Sequence, residues 1–341
     1  MRRHLAALAL LTLAALPAIA AAAPEAPTSG IRRRADLAIR DPFIVPVAAT
    51  GEYYLYTSSQ REAPAPDGAK GVVVWKSKDL NNWSGPTRVF SVPANSWAEV
   101  KGSVWAPEVH FCNGRYYLFV TLANNQARFL DQPGRPPLHT RATQIFAADS
   151  PEGPFLPLAK PPITPAEWMA LDGTLGIEDG RPFMVFCHEW HQTIDGTFEL
   201  VELAPDLSRA VSRPQTLFAA SEIPWSRDLK SIGMGKTGGF VSDGCFLFRT
   251  KTGTLLMLTS SFGETKYCLG VSRSTTGRLA GPWVHEEKPL YSADGGHGMI
   301  FRTFDHRLVL TLHSPNDTAR CRLFELEDTG DSLRILAELP F

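Results

Sequence analysis

Three aspartates stand out by their settings. Asp41, Asp172 and Asp243 each sit at the head of a strand-like apolar run, in R-D-P-F-I-V, L-D-G-T-L-G-I and S-D-G-C-F-L-F. Three carboxylates converging on one pocket repel, so their pKa values must separate. One can then stay ionised as a general base while another keeps a proton as a general acid. Hydrolysis of a glycosidic bond requires that division of labour. Singly, each has a structural explanation: Asp172-Gly173 and Asp243-Gly244 suit turns, and Asp41 can pair with Arg40. Their matching positions in a repeated unit are what argue for function.

The repeat is the element that must position them. Arg40 to Ser59 reads as a hairpin: an apolar run, a turn at Thr50-Gly51, then Tyr53 to Tyr56. Further strands follow at Val72 to Trp75, with a turn over Asp79 to Trp83. The outline recurs at Val104 to Phe155, where Asn113-Gly114 is a strong hairpin signal and the loop Asn124 to Arg141 interrupts. It recurs again at Leu171 to Phe218, Val241 to Tyr291 and Asp294 to about Leu326. Five units of three or four short strands, with a period of roughly 50 to 70 residues, predict an all-β fold, a five-bladed β-propeller. A β-sandwich is disfavoured by the recurring D-L-x-x-W and G-P-F/W turns. In a propeller the innermost strands line the central channel, so Asp41, Asp172 and Asp243 converge from blades one, three and four. Trp105 and Glu108 lie near the same place in blade two, and His297 in blade five.

Around that pocket, Trp105 is placed to stack on a sugar face, with Trp190 and Phe43 as weaker candidates. Glu108 and His188 are candidate hydroxyl contacts, and Arg302 a candidate for substrate binding. A histidine such as His297 also serves as an ordinary core residue bonded to backbone.

The chain has 341 residues and a formal net charge of -1. Near-neutral charge without a long basic run argues against a nucleic-acid partner. Arg2, Arg3 and His4 precede an apolar run from Leu5 to about Ile19 and then small residues to Ala23. This reads as a cleaved secretory signal over residues 1–23, preceding a single propeller domain over 31–341. The expected mature protein is exported, monomeric and free of the membrane. The five cysteines include no C-x-x-C pair, which argues against a zinc knuckle; most sit in strand-like runs as small buried apolar residues.

Taken in order, RDPFIV with GEYYLYTSS, VWAPEV with GRYYLF, ADSPEGPF, LDGTLGIEDGRPFMVF, VSDGCFLF and DGGHGMIF resemble the family 43 glycoside hydrolases over essentially the whole mature chain. That resemblance implies a five-bladed propeller cleaving arabinose- or xylose-containing plant-type glycans with inversion. It implies Asp41 as general base, Asp172 as the group tuning the acid's pKa, and Asp243 as the general acid. It also implies an axial calcium ion held through water near His297. The family's acid is usually a glutamate, and Asp243 is shorter by one methylene. Three alternatives stay open: Asp243 is a variant acid; Glu189, in C-H-E-W, takes the role rather than being a sugar contact or structural partner; or the acid function is lost. The last would leave a non-catalytic glycan-binding propeller. A retaining fructan-acting propeller enzyme shares the R-D-P motif but none of its other motifs is found.

Overall fold

The structure, a computed structural model, describes residues 30–59, 65, 67–159 and 161–340. The expected signal sequence lies outside these. The described residues form five antiparallel sheets. Blade one holds β1 (Ile31–Arg33), β2 (Phe43–Val47), β3 (Glu52–Ser58), β4 (Gly71–Ser77) and β5 (Asn82–Ser91). Blade two holds β6 (Val104–Cys112), β7 (Arg115–Leu130), β8 (Leu138–Ala148) and β9 (Leu156–Pro157). Blade three holds β10 (Ala170–Glu178), β11 (Arg181–His188), β12 (Thr197–Glu202) and β13 (Gln215–Ala219), with the one-turn helix α1 (Trp190–Thr193) between β11 and β12. Blade four holds β14 (Asp243–Arg249), β15 (Leu255–Phe262), β16 (Tyr267–Ser274) and β17 (Trp283–His285). Blade five holds β18 (Gly296–Arg302), β19 (Leu308–His313), β20 (Cys321–Asp328) and β21 (Leu333–Glu338). The expected five-bladed propeller is what the chain forms.

Each inner strand is followed by a tight turn and its antiparallel partner, as at Val47↔Glu52 and Cys112↔Arg115. Rows of Val, Leu, Tyr and Phe such as Val72 to Trp75 are buried on both faces because each sheet is sandwiched between two neighbours. The ring closes where β18 packs beside β2. There the Arg40 guanidinium donates to the Asn316 carbonyl at 2.7 Å and Arg34 donates to the carbonyls of Leu339 and Pro340. All five cysteines are free thiols; four are buried and Cys112 is half-buried.

Ile31–Arg33 pairs with β5 at the outer edge of blade one. Two local expectations change. Trp83 belongs to β5 rather than to the turn, with its indole N–H donating to the Leu80 carbonyl. The stretch expected as a loop from Asn124 to Arg141 is largely an extension of the β7–β8 hairpin. It stays paired as far as Leu130↔Leu138, so backbone pairing overrides the polar composition.

One feature of the inner strands repeats in every blade. Asp41, Ala106, Asp172, Gly244 and His297 all adopt left-handed backbone, with φ of 48, 45, 56, 57 and 51°. In blades two to five the strand register breaks around that residue, between Trp105 and Glu108, Leu171 and Thr174, Asp243 and Phe246, and Gly296 and Met299. This is a bulge that redirects the chain at the mouth of the channel. Only Gly244 has no side chain there: a Cβ on it would lie 2.9 Å from the His297 Cα. Gly244→Ala should therefore cost more stability than Gly114→Ala, where φ is 78° but no atom lies within 4 Å. Urea unfolding is expected to show a loss of about 1 kcal/mol at Gly114 and clearly more, about 2–4 kcal/mol, at Gly244. Equal losses would contradict the packing described.

Candidate active site

The left-handed position fixes which side chains reach the axis. Asp41, Asp172 and His297 occupy it in blades one, three and five. Asp243 does not: it precedes Gly244 and is the counterpart of Arg40 and Trp105. The sequence alignment of the three aspartates is thus off by one residue in blade four. The cause is that the bulge pattern, not the D-G dipeptide, sets the register. Asp243 nevertheless joins the same cluster.

The His297 Nδ1 lies 3.5 Å from Asp41 Oδ1 and 3.6 Å from Asp172 Oδ2. The backbone N–H of Gly244 donates to Asp172 Oδ2 at 3.0 Å, which seats Asp172 directly behind Asp243. The Tyr267 hydroxyl donates to Asp243 Oδ2 at 3.1 Å. The Tyr267 ring is stacked on His313 at 5.7 Å, and His313 Nδ1 is 3.1 Å from Asp41 Oδ1. A continuous chain of contacts therefore links Asp243 to Asp41 across blades four, five and one. Thr121 in β7 supports the floor by accepting the Asp172 N–H at 2.9 Å.

The electrostatics separate the three carboxyls. Burial opposes charge on Asp41, but His297, His313 and Arg40 outweigh it and hold this carboxyl well below the usual carboxylate range. Asp172 is pushed up to about 7, first by burial and then by the charges of Asp243 and Asp41. Asp243 is raised too, by burial and by Glu189, against the pull of His297, Tyr267 and Arg40. Burial opposes charge on His297 as well, yet the three aspartates raise its pKa. The site thus holds an ionised carboxylate in Asp41 and raises its two neighbours toward the protonated form.

The remaining predicted residues are placed as follows. Glu189 is buried, and its carboxylate pairs with Arg141 and lies 3.5 Å from His191 Nδ1. Burial raises its pKa against the effect of Arg141. The Arg141 guanidinium sits 4.2 Å from the centre of the half-buried Trp105 ring. His188 stacks on Trp168 at 4.0 Å and shares a 2.9 Å hydrogen bond with the Gln192 side-chain Oε1, while its backbone carbonyl accepts from the Ser242 hydroxyl beside Asp243. Its ring is thereby occupied within the wall of the site. Glu108 is buried with its carboxylate 2.8 Å from His110 Nε2. Arg302 ends β18, five residues beyond His297 and about 17 Å along the strand, and is exposed. It does not join the cluster. The alternation of β18 gave no way to tell its two ends apart by function.

Phe43 of blade one meets Phe246 of blade four with ring centroids 6.2 Å apart. Those blades are not neighbours in the ring, so this contact crosses the axis. His110 closes on Phe43 at 5.3 Å. Among the described residues no cluster of three or more His, Cys, Asp or Glu side chains is arranged to hold a metal. A calcium ion held through water, as expected near His297, would need oxygens to bind its water shell, and the Asp41 and Asp172 carboxylates 3.5 and 3.6 Å from that imidazole are the groups able to supply them.

Sequence reasoning missed His313 and Tyr267. His313 closes the otherwise apolar run R-L-V-L-T-L-H, and that polar end at the channel mouth was the available signal. Tyr267 opens β16 with no distinguishing motif. Removing its hydrogen bond by Tyr267→Phe destabilises the charged form of Asp243. The Asp243 carboxyl, followed by 13C NMR, should then titrate about one pH unit higher. An unchanged titration would contradict the bond.

Residues 36–332 match the model of the glycosyl hydrolases family 43. None of the curated proteins compared matches the sequence. Among solved structures, the endo-arabinase from Bacteroides thetaiotaomicron VPI-5482 is 37% identical, with a TM-score of 0.75, over 86% of this chain and 96% of that one. An endo-1,4-beta-xylanase from the same organism is 21% identical, with a TM-score of 0.69, over 90% of this chain and 97% of that one. The alpha-L-arabinofuranosidase from Lactobacillus brevis is 16% identical, with a TM-score of 0.67, over 89% of this chain and 95% of that one. The last two share the fold. With a family match over nearly all the described propeller, the chain belongs to the family 43 glycosyl hydrolases.

Proposed function

We propose that this glycoside hydrolase cleaves arabinose-containing glycans with inversion, Asp41 acting as general base and Asp243 as general acid. The observation that carries the reading is the opposed settings of carboxyls gathered from separate blades: His297, His313 and Arg40 favour the charged form of Asp41, while burial and Glu189 disfavour that of Asp243. Asp41 accepts a proton from water as that water attacks the anomeric carbon. Asp243 gives its proton to the departing glycosidic oxygen. Asp172, buried behind Asp243 and tied to the Gly244 N–H, disfavours charge on the acid and fixes the backbone that carries it. The 37% identity to a protein named an endo-arabinase favours arabinan over xylan. The basic, apolar and small-residue order of residues 1–23 supports export of the enzyme.

Glu189 competes for the acid role, but its carboxylate is engaged by Arg141. Its charge instead helps keep the proton on Asp243. Its role here is to position and tune.

Hydrolysis of arabino-oligosaccharides and of aryl arabinofuranosides separates these roles. Asp41→Ala should lose about 10³-fold or more in kcat on both substrates. Asp243→Ala should lose about 10²–10⁴-fold on the oligosaccharides and far less on aryl glycosides, whose leaving groups need no proton. Glu189→Gln should retain turnover of both, with the alkaline limb of the pH profile moved down. Selective loss of the poor leaving groups in Glu189→Ala rather than Asp243→Ala would overturn the acid assignment. Binding without turnover by the wild type would overturn the enzyme reading.

A further inference from the structure

Between blades one and two, on the face that carries Asp41, a cavity of about 240 Å³ opens to solvent. That is the space of roughly eight waters, enough for a single sugar ring. Its lining includes Ser59, Lys70, Lys101, Ser103, Trp105 and Asn125. The reading of the catalytic cluster uses none of these except Trp105, whose ring is already flanked by Arg141.

Two features of this lining call for a ligand. The Ser59 hydroxyl is buried, the residue being 4% exposed, and has no hydrogen-bond partner among the described residues. A buried hydroxyl without a partner costs about 1–3 kcal/mol, and a ligand hydroxyl in the cavity would satisfy it. The second feature is charge. Among the described residues neither Lys70 nor Lys101 has a carboxylate within ion-pair distance, although each lines the cavity. The acids close by are turned to backbone: Glu99 accepts the Asn125 N–H and Asp67 accepts the Ala69 N–H. Two lysines, hydroxyl and amide side chains and one indole line the cavity, a composition suited to a carbohydrate that carries negative charge.

The cavity borders the strand ends that carry the reaction centre. Trp105 precedes Ala106, the blade-two member of the left-handed ring. Thr57, two residues before Ser59, donates its hydroxyl to the Arg40 carbonyl at 2.9 Å, directly beside Asp41. A glycan whose scissile bond lies over Asp41 and Asp243 can therefore direct a neighbouring sugar toward Ser59 and the two lysines.

We infer that this cavity is an accessory subsite for a uronate, a sugar residue bearing a carboxylate, in a branched acidic glycan. The inference rests on the glycosidase reading and adds the substrate's charged branch to it. Isothermal calorimetry on the mature wild-type protein with methyl β-glucuronoside tests it directly. Methyl β-glucoside is the neutral control and acetate the bare-anion control. The glucuronoside should bind at least about tenfold more tightly than either control. The Lys70→Gln/Lys101→Gln double variant should abolish that preference, and raising the salt from 20 to about 200 mM should weaken it, since both lysines are near the surface. Equal binding of glucuronoside and glucoside, equal binding of glucuronoside and acetate, or an unaltered preference in the double variant would overturn the subsite. Turnover of neutral arabino-oligosaccharides by the wild type tests the glycosidase reading by itself, so the two fail separately.

Discussion

Closure of the ring between blade five and blade one is the constraint on which the site depends. Asp41 enters from the first blade, and both imidazoles that hold it ionised come from the last. Two of the contacts that seal the junction lie beside Asp41, Arg40 on Asn316 and His313 on Asp41, and Tyr53 accepting the Phe304 N–H joins the far ends of the same blades. Closure thus buries Asp41 while the two imidazoles keep it ionised, the state that the proposed base role needs. Opened, Asp41 would be an ordinary solvated carboxylate beside an arginine. This couples stability to chemistry more closely than does a site carried on a single loop.

The second constraint is the left-handed residue repeated at the mouth of every inner strand. For L-residues that conformation costs roughly 1–2 kcal/mol each, and four of the five positions are not glycine. Such strain persists only where surroundings over-determine it. Here the bulge aims three of the five side chains, Asp41, Asp172 and His297, at one another. Glycine in blade four lets His297 pack against bare backbone and frees the Gly244 N–H to bind Asp172. The aspartate lacking a methylene is consistent with this geometry, since Asp243 stands one residue upstream of the axis position and is reached by the Tyr267 hydroxyl.

Much of this was legible in the sequence. Alternating apolar runs, turns at Thr50-Gly51 and Asn113-Gly114, and the repeat itself dictate the blades. Circular closure then forces Asp41, Asp172 and Asp243 together whatever their separation in sequence. What was not legible follows from features with no local signature. The one-residue offset of Asp243 arises from backbone bulges that leave the D-G dipeptide looking the same. His313 and Tyr267 act through cross-blade contacts that strand periodicity does not encode. The paired extension to Leu130 and Leu138 reads as loop because its residues are polar. Arg302 lies on the right strand but at the wrong end. The pairing of Glu189 with Arg141, about fifty residues upstream, has no local signature either, and it is what favours Asp243 in the proposed acid role.

The account stands most directly on the stereochemistry of the first product. Proton NMR of an arabino-oligosaccharide digest, read before mutarotation, reports the anomeric configuration of the sugar released. If Asp41 activates water and Asp243 gives up a proton, as proposed, the newly formed reducing end has the configuration opposite to the bond cleaved. A first product that keeps the configuration of the substrate would show a covalent intermediate and contradict the base and acid roles assigned here.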